Sequence, residues 1–217
     1  MADFTIYVGN KNYSSWSLRA WLMAKASGVD FEEVLIPLYQ AHSRPELLRH
    51  SPTGKVPVLQ HGDITVWDSL AIGEYLAERV PAARLWPQDQ TARAMARSIS
   101  AEMHAGFANL RRHLPMNMRS TFAGREIIPD IQADLDRVAA IWRDCRRRHG
   151  AGGGYLFGGF TIADAMYAPV VSRLRTYCIS FEEEAQAYAD SLWAYPALQE
   201  WVAAARNEPW VVEEFEF

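Results

Sequence analysis

The apolar pattern of this chain changes once, near Pro81, and that change limits the fold more than any other feature. Before it, short strand-like and helix-like stretches alternate; beyond it, nearly every apolar stripe has helical spacing. Phe4–Val8 is a β-branched and aromatic run closed by Gly9-Asn10. Leu18, Trp21 and Leu22 recur at helical spacing until Gly28 provides a stop. Phe31–Ile36 reads as a second strand ended by Pro37, and a short helix around Pro45–His50 precedes the loop Ser51-Pro52-Thr53-Gly54. Val56–Leu59 and Ile64–Trp67 flank His61-Gly62-Asp63, a hairpin pattern. A helix from Ser69 then offers Leu70, Ile72, Gly73 and Leu76 to a core. The expected order is β-α-β-α-β-β-α. A crossover helix joining the first two strands requires them to be parallel, and the hairpin adds antiparallel strands.

The remainder reads as all-α. Met95, Ile99, Met103, Phe107, Leu110 and Leu114 keep one face and predict a single long helix. Ile131, Leu135, Val138 and Trp142 make a second stripe, ended by the glycine-rich stretch 150–154. Further helices are expected from near Thr161 and over Pro196–Arg206. The expected fold class is α/β plus all-α. The expected domains are 1–80, a linker at 81–87 bounded by prolines, and a helical domain at 88–217.

Composition excludes several classes. A chain of 217 residues that is 49% hydrophobic can build two small cores. A net charge of −4, mixed in sign, gives no footprint for nucleic acid or an anionic membrane. No apolar run reaches the ~18 residues of a membrane span, and the N-terminal MADFTIYVGNKNY lacks a signal-peptide pattern. The only cysteines, Cys145 and Cys178, build neither a disulfide framework nor a zinc site. His104 has no partner at metal-ligand spacing, so no metal is expected. These features fit a cytoplasmic protein.

Three motifs carry chemistry. Asn12-Tyr13-Ser14-Ser15-Trp16-Ser17 is a serine-rich turn before a helix containing Arg19. Lys55-Val56-Pro57-Val58-Leu59 is followed by Asp68-Ser69, which stands where a strand gives way to a helix. The amide groups of a helix start, with a serine hydroxyl, suit a carboxylate, and Asp68 can accept from a neighbouring ammonium. Phe160-Thr161-Ile162-Ala163-Asp164 reads as a capping-box-like element, structural rather than catalytic.

In this order and spacing the motifs resemble the glutathione S-transferase superfamily over nearly the whole chain, and its bacterial, serine-type, zeta-like classes most closely. The resemblance implies a thioredoxin-like N-terminal domain that binds glutathione as co-substrate. A cis Val56–Pro57 bond would let the Val56 backbone pair with the cysteinyl unit like an added strand. Asp68 and Ser69 would read the γ-glutamyl end. Lys55 and His42 are candidates for the glycine carboxylate. A hydroxyl donated to the sulfur favours thiolate over thiol. Ser14 is the favoured donor, then Ser15, with Asn12 third, because Asn12 falls at the zeta-class serine when the chain is aligned on Arg19 without a gap. The first domain has no cysteine, so thiol redox exchange is not expected.

Met103, His104, Phe107 and Arg111 lie three or four residues apart and are candidates for the wall of a second, electrophile pocket. His104 or Arg111 would contact an acidic or carbonyl substrate; the other reading of Met103 and Phe107 is inter-helix core. The resemblance implies a homodimeric glutathione transferase acting in detoxification. A catalytically silent glutathione-binding scaffold and a maleylacetoacetate-isomerase-like enzyme remain open.

Overall fold

The structure is a computed structural model and describes residues 3–217. Strand β1 (Phe4–Val8) pairs in parallel with β2 (Phe31–Leu35) and antiparallel with β3 (Val58–His61), which continues into β4 (Ile64–Trp67). The sheet order is β2-β1-β3-β4. Helix α1 (Ser15–Ser27) forms the crossover between the parallel strands, α2 (Ser43–His50) follows β2, and α3 (Ser69–Arg79) follows the hairpin. This is the expected thioredoxin-like arrangement.

Alternation along the strands assigns the two faces. Ile6, Val8 and Leu59 pack on the α1 and α3 side, in the main core. Tyr7 and Val58 point the other way and meet Ile36 and Leu47, the latter on α2. The third strand starts at Val58, two residues later than its apolar run. Val56 and Pro57 stay outside the ladder, joined by a cis peptide bond.

The helical part comprises α4 (Gln90–Ala105), α5 (Ala108–His113), α6 (Pro129–His149), α7 (Ile162–Thr176), α8 (Glu183–Trp193) and α9 (Pro196–Arg206). The single long helix expected through Leu114 is broken into α4 and α5. Gly106 ends α4 in an extended conformation, where a Cβ would fall 2.8 Å from the Glu102 carbonyl oxygen. Phe107 then takes a left-handed backbone (φ 56), which turns its ring into the core. Helix α8 was not anticipated. Its buried positions Ala185, Tyr188, Ala189 and Leu192 do follow helical spacing, but the two alanines make that stripe faint.

Helix α7 is the centre of the molecule: every residue in it except Arg175 is buried. Its start is held by Asp164, which accepts from the Thr161 N–H (2.7 Å) and hydroxyl (2.9 Å), the Leu156 N–H (3.0 Å) and the Tyr188 hydroxyl (3.2 Å). Cys145 is buried in the core, and Cys178 is exposed just past the end of α7. One apolar core runs through both parts of the chain. Across it, Arg19 Nε on α1 donates to the Met166 carbonyl on α7 (3.1 Å), and the Ile162 N–H donates to the Leu85 carbonyl (2.9 Å).

Candidate functional site

The serine turn is built by its own backbone. The Asn10 carbonyl accepts from the N–H of both Tyr13 and Ser14, which delivers the chain into α1 with Ser14 as its N-cap. Ser14 Oγ accepts from the Ser17 N–H (3.3 Å) and donates to Ser17 Oγ (2.8 Å), which in turn accepts from the Gly9 N–H (2.9 Å). The hydroxyl of Ser14 is therefore committed at both its proton and a lone pair. Ser15 is half-buried, and its hydroxyl has no protein partner among the described residues; both serines line a main cavity of about 800 Å³. Asn12 is fully buried, with its Nδ2 on Asn117 Oδ1 (3.0 Å) and its Oδ1 accepting from the Arg119 N–H (2.9 Å). It ties the two parts of the chain together and does not face a cavity. Tyr13 donates to Glu216 Oε1 (2.5 Å) and accepts from Arg119 Nη2 (2.9 Å), so its hydroxyl is likewise engaged.

Asp68 and Ser69 open α3. Asp68 has a left-handed φ of 75 and caps the helix, its Oδ1 accepting from the Leu70 N–H (2.9 Å). Its Oδ2 lies 3.3 Å from Nε2 of His104 on α4. Ser69 is wholly buried, and its Oγ has no partner among the described residues. Buried hydroxyls ordinarily find partners, so an orphaned one at a helix start makes Ser69 a candidate ligand contact. Asp68, Ser69, Lys55, Val56 and Pro57 line a depression of about 320 Å³.

The main cavity, about 800 Å³, adjoins it; Trp16, Lys55 and Val56 line both. Trp16 is the partition. The Arg19 guanidinium carbon lies 4.5 Å and that of Arg111 5.5 Å from its ring centre, while the His104 ring meets its edge at 5.2 Å. Burial lowers the pKa of Arg19 to about 9 and that of Arg173 to about 10, with repulsion by neighbouring arginines adding to it. Burial lowers Arg111 in the same direction.

Of the candidate substrate-wall residues, only Arg111 lines the cavity. Met103, on α4, and Phe107, the N-cap residue that starts α5 after the Gly106 break, are both buried core residues. His104 is bound to Asp68 instead. His42 is exposed at the start of α2 and lines neither depression, whereas Arg44, two residues further, does line the main cavity. Sequence reasoning missed Trp16, Arg44 and Arg173. Arg173 had one local signal, an arginine inside an otherwise apolar helical stripe, but nothing in the sequence separates it from exposed Arg175. Among the described residues no group of three or more His, Cys, Asp or Glu side chains could hold a metal, and no helix is long and apolar enough to cross a membrane.

Comparison with known proteins gives concordant matches. Residues 13–79 match the family model for the glutathione S-transferase N-terminal domain, and residues 118–204 match the model for its C-terminal domain. Glutathione S-transferase 1 of Dianthus caryophyllus is 43% identical over 91 residues, which is 42% of this chain and 40% of that protein. The maleylacetoacetate isomerase of Rattus norvegicus is 37% identical over 109 residues, 49% of this chain and 50% of that one. Both matches thus span half or less of the relative's length. A crystal structure of a glutathione transferase homolog from Burkholderia, with bound glutathione, superposes over 96% of this chain and 100% of its own, with a TM-score of 0.71 at 27% identity.

Proposed function

The chain belongs to the glutathione S-transferase superfamily, and from that premise we propose that it binds glutathione across the two depressions and transfers the thiol to a small electrophile. The observation that carries this reading is the buried, partnerless Oγ of Ser69 beside Asp68, in a depression that shares Trp16, Lys55 and Val56 with the larger cavity. Ser69 Oγ and the α3 amides would receive the γ-glutamyl carboxylate, and Asp68 its ammonium. The Val56 backbone, outside the ladder, is free to pair with the cysteinyl unit. Lys55, with Arg44, is suited to the glycine carboxylate.

Ser15 is the residue we assign to the sulfur, in preference to Ser14. Its hydroxyl is unengaged and lies in the first turn of α1, where the helix dipole also favours an anion. A free thiol titrates near 8.5, roughly, and only its thiolate is nucleophilic. Each unit by which the site lowers that value is worth about 1.4 kcal/mol. Holding thiolate and electrophile together supplies the rest of the acceleration.

The reading extends to two domains, residues 1–80 for glutathione and 88–217 for the electrophile, joined through 81–87, and to a cytoplasmic homodimer. Exposed Ile64 and Trp67 on β4 support an association surface there. The likeness to maleylacetoacetate isomerases supports glutathione-dependent isomerisation as the second reading. Calorimetric titration with glutathione, followed by assay with an activated aryl chloride, tests the proposal. Binding with turnover supports it; binding without turnover of any aryl chloride or cis-dienoic keto acid leaves a scaffold; no binding overturns both.

A further inference from the structure

The main cavity is lined by four cationic side chains and by no carboxylate. Arg44 and Lys55 come from the first part of the chain and suit the glutathione end. Arg111, on α5, and Arg173, on α7, stand on the helical wall beside Pro115 and Met116. Arg173 is 4% exposed, with Nε on the Leu114 carbonyl (2.7 Å) and Nη1 on the Pro169 carbonyl (2.9 Å). Arg111 donates Nη1 to the His104 carbonyl (3.1 Å). Neither guanidinium is paired with a carboxylate among the described residues. Asp134 acts on Arg111 at longer range than an ion pair, while its Oδ2 accepts from the Leu110 N–H (2.8 Å).

Buried cations are ordinarily paired, because leaving water without a counter-charge costs several kcal/mol, roughly. Here carbonyl bonds orient both guanidinium groups; the buried Arg173 has no carboxylate partner among the described residues, while the half-buried Arg111 feels only Asp134. Arg19 adds a second buried cation, stacked on Trp16, with Nη1 unbonded among the described residues. A neutral apolar guest would leave that charge facing it, whereas a carboxylate would meet donors already held in place.

We propose that Arg173 and Arg111 form an anion site in the electrophile pocket, so that this protein selects electrophiles carrying a carboxylate over their uncharged counterparts. The inference rests on the reading of the main cavity as the electrophile site. Arg173 supplies the anchor, fixed by two backbone carbonyls. Arg111, stacked over Trp16, closes on the carboxylate from the side nearer the glutathione depression. The reactive carbon is then presented toward Ser15, which lines the same cavity.

The test is an equilibrium one, so that it does not depend on turnover. A methyl-nitrobenzoate and its uncharged carboxamide, matched in shape and unreactive toward thiols, are titrated calorimetrically into the glutathione-saturated protein and into the free protein. The expected result is a benzoate affinity at least tenfold tighter than that of the carboxamide, lost in Arg173→Met and reduced about tenfold or more in Arg111→Gln, with carboxamide binding unaltered. Arg111→Gln covers the case in which Arg173→Met fails to fold, since Arg173 also supports the backbone. Equal affinity for the two compounds in the wild type overturns the proposal. So does a benzoate preference that both substitutions leave intact. A benzoate preference seen only without glutathione, with glutathione affinity falling in Arg111→Gln, assigns the arginines to the glycine carboxylate and overturns it as well. Failure of glutathione to bind at all is a separate outcome that sinks the proposed function, while the free-protein titration still decides the anion site.

Discussion

Ser14 donates its hydroxyl proton to Ser17 Oγ across 2.8 Å while accepting from the Ser17 N–H, and this leaves its neighbour Ser15 with the free hydroxyl on the cavity wall. The two serines therefore differ in what their removal does. Ser15→Ala is expected to raise the pKa of bound glutathione thiol and to lower kcat/KM about 10- to 100-fold, the range for a hydrogen bond to a charged group. Ser14→Ala is expected to cost about 1 kcal/mol of stability as a lost N-cap, with a smaller effect on the thiol. Ultraviolet titration of the thiolate together with thermal melts separates the two. A thiol pKa that moves with Ser14 and not with Ser15 reverses the assignment.

Ser69 offers a test that distinguishes binding from folding. Its Oγ is buried and has no protein partner among the described residues, so Ser69→Ala removes nothing the free protein uses. The unliganded variant should be at least as stable as the wild type, and its glutathione affinity should fall about five- to tenfold. Loss of stability without loss of affinity would show that the hydroxyl serves the fold.

Tyr13 should be dispensable for the chemistry. Its hydroxyl joins Glu216, Arg119 and the Val212 N–H, and so pins the C-terminal segment whose Phe215 lines the cavity. Tyr13→Phe should leave the bound thiol pKa unchanged and make the segment after Val212 more open to limited proteolysis. A large rise in thiol pKa would instead make Tyr13 the donor.

Asp164 sets a pH dependence of stability. Burial pushes its carboxyl up to about 6 from 3.8, against the four hydrogen bonds that it accepts. Between those values the native carboxyl holds its proton and the unfolded one has released it, so stability falls as pH rises through this window. Its contribution is fully present below about 3.8 and lost above about 6. Relative to Asp164→Asn, the wild type should lose up to about 3 kcal/mol between those limits in denaturant titrations. A difference that is flat or rises with pH means the four donors outweigh burial.

The sequence by itself determined what is local. Strand alternation, the hairpin at Gly62-Asp63, the Asp68 cap and the Thr161–Asp164 element are each set within a few residues, by periodicity and by side chains that reach their own backbone. Val56, Pro57, Asp68 and Ser69 are singled out through the family resemblance of their motifs, and the structure brings all four around one depression. What tertiary structure decided is whatever depends on a distant partner. Asn12 became structural only because Asn117 and Arg119 arrive from the helical part, more than a hundred positions away. Of the two readings of Met103 and Phe107, packing places both in the core, Phe107 by way of the chain break at Gly106. Arg173 and Arg111 line one cavity although they come from different helices, because Arg173 on α7 reaches across to the Leu114 carbonyl at the end of α5. A side chain's type is written in the sequence, but whether its charge or hydroxyl is satisfied is settled by packing, and that is what separates Ser15 from Ser14.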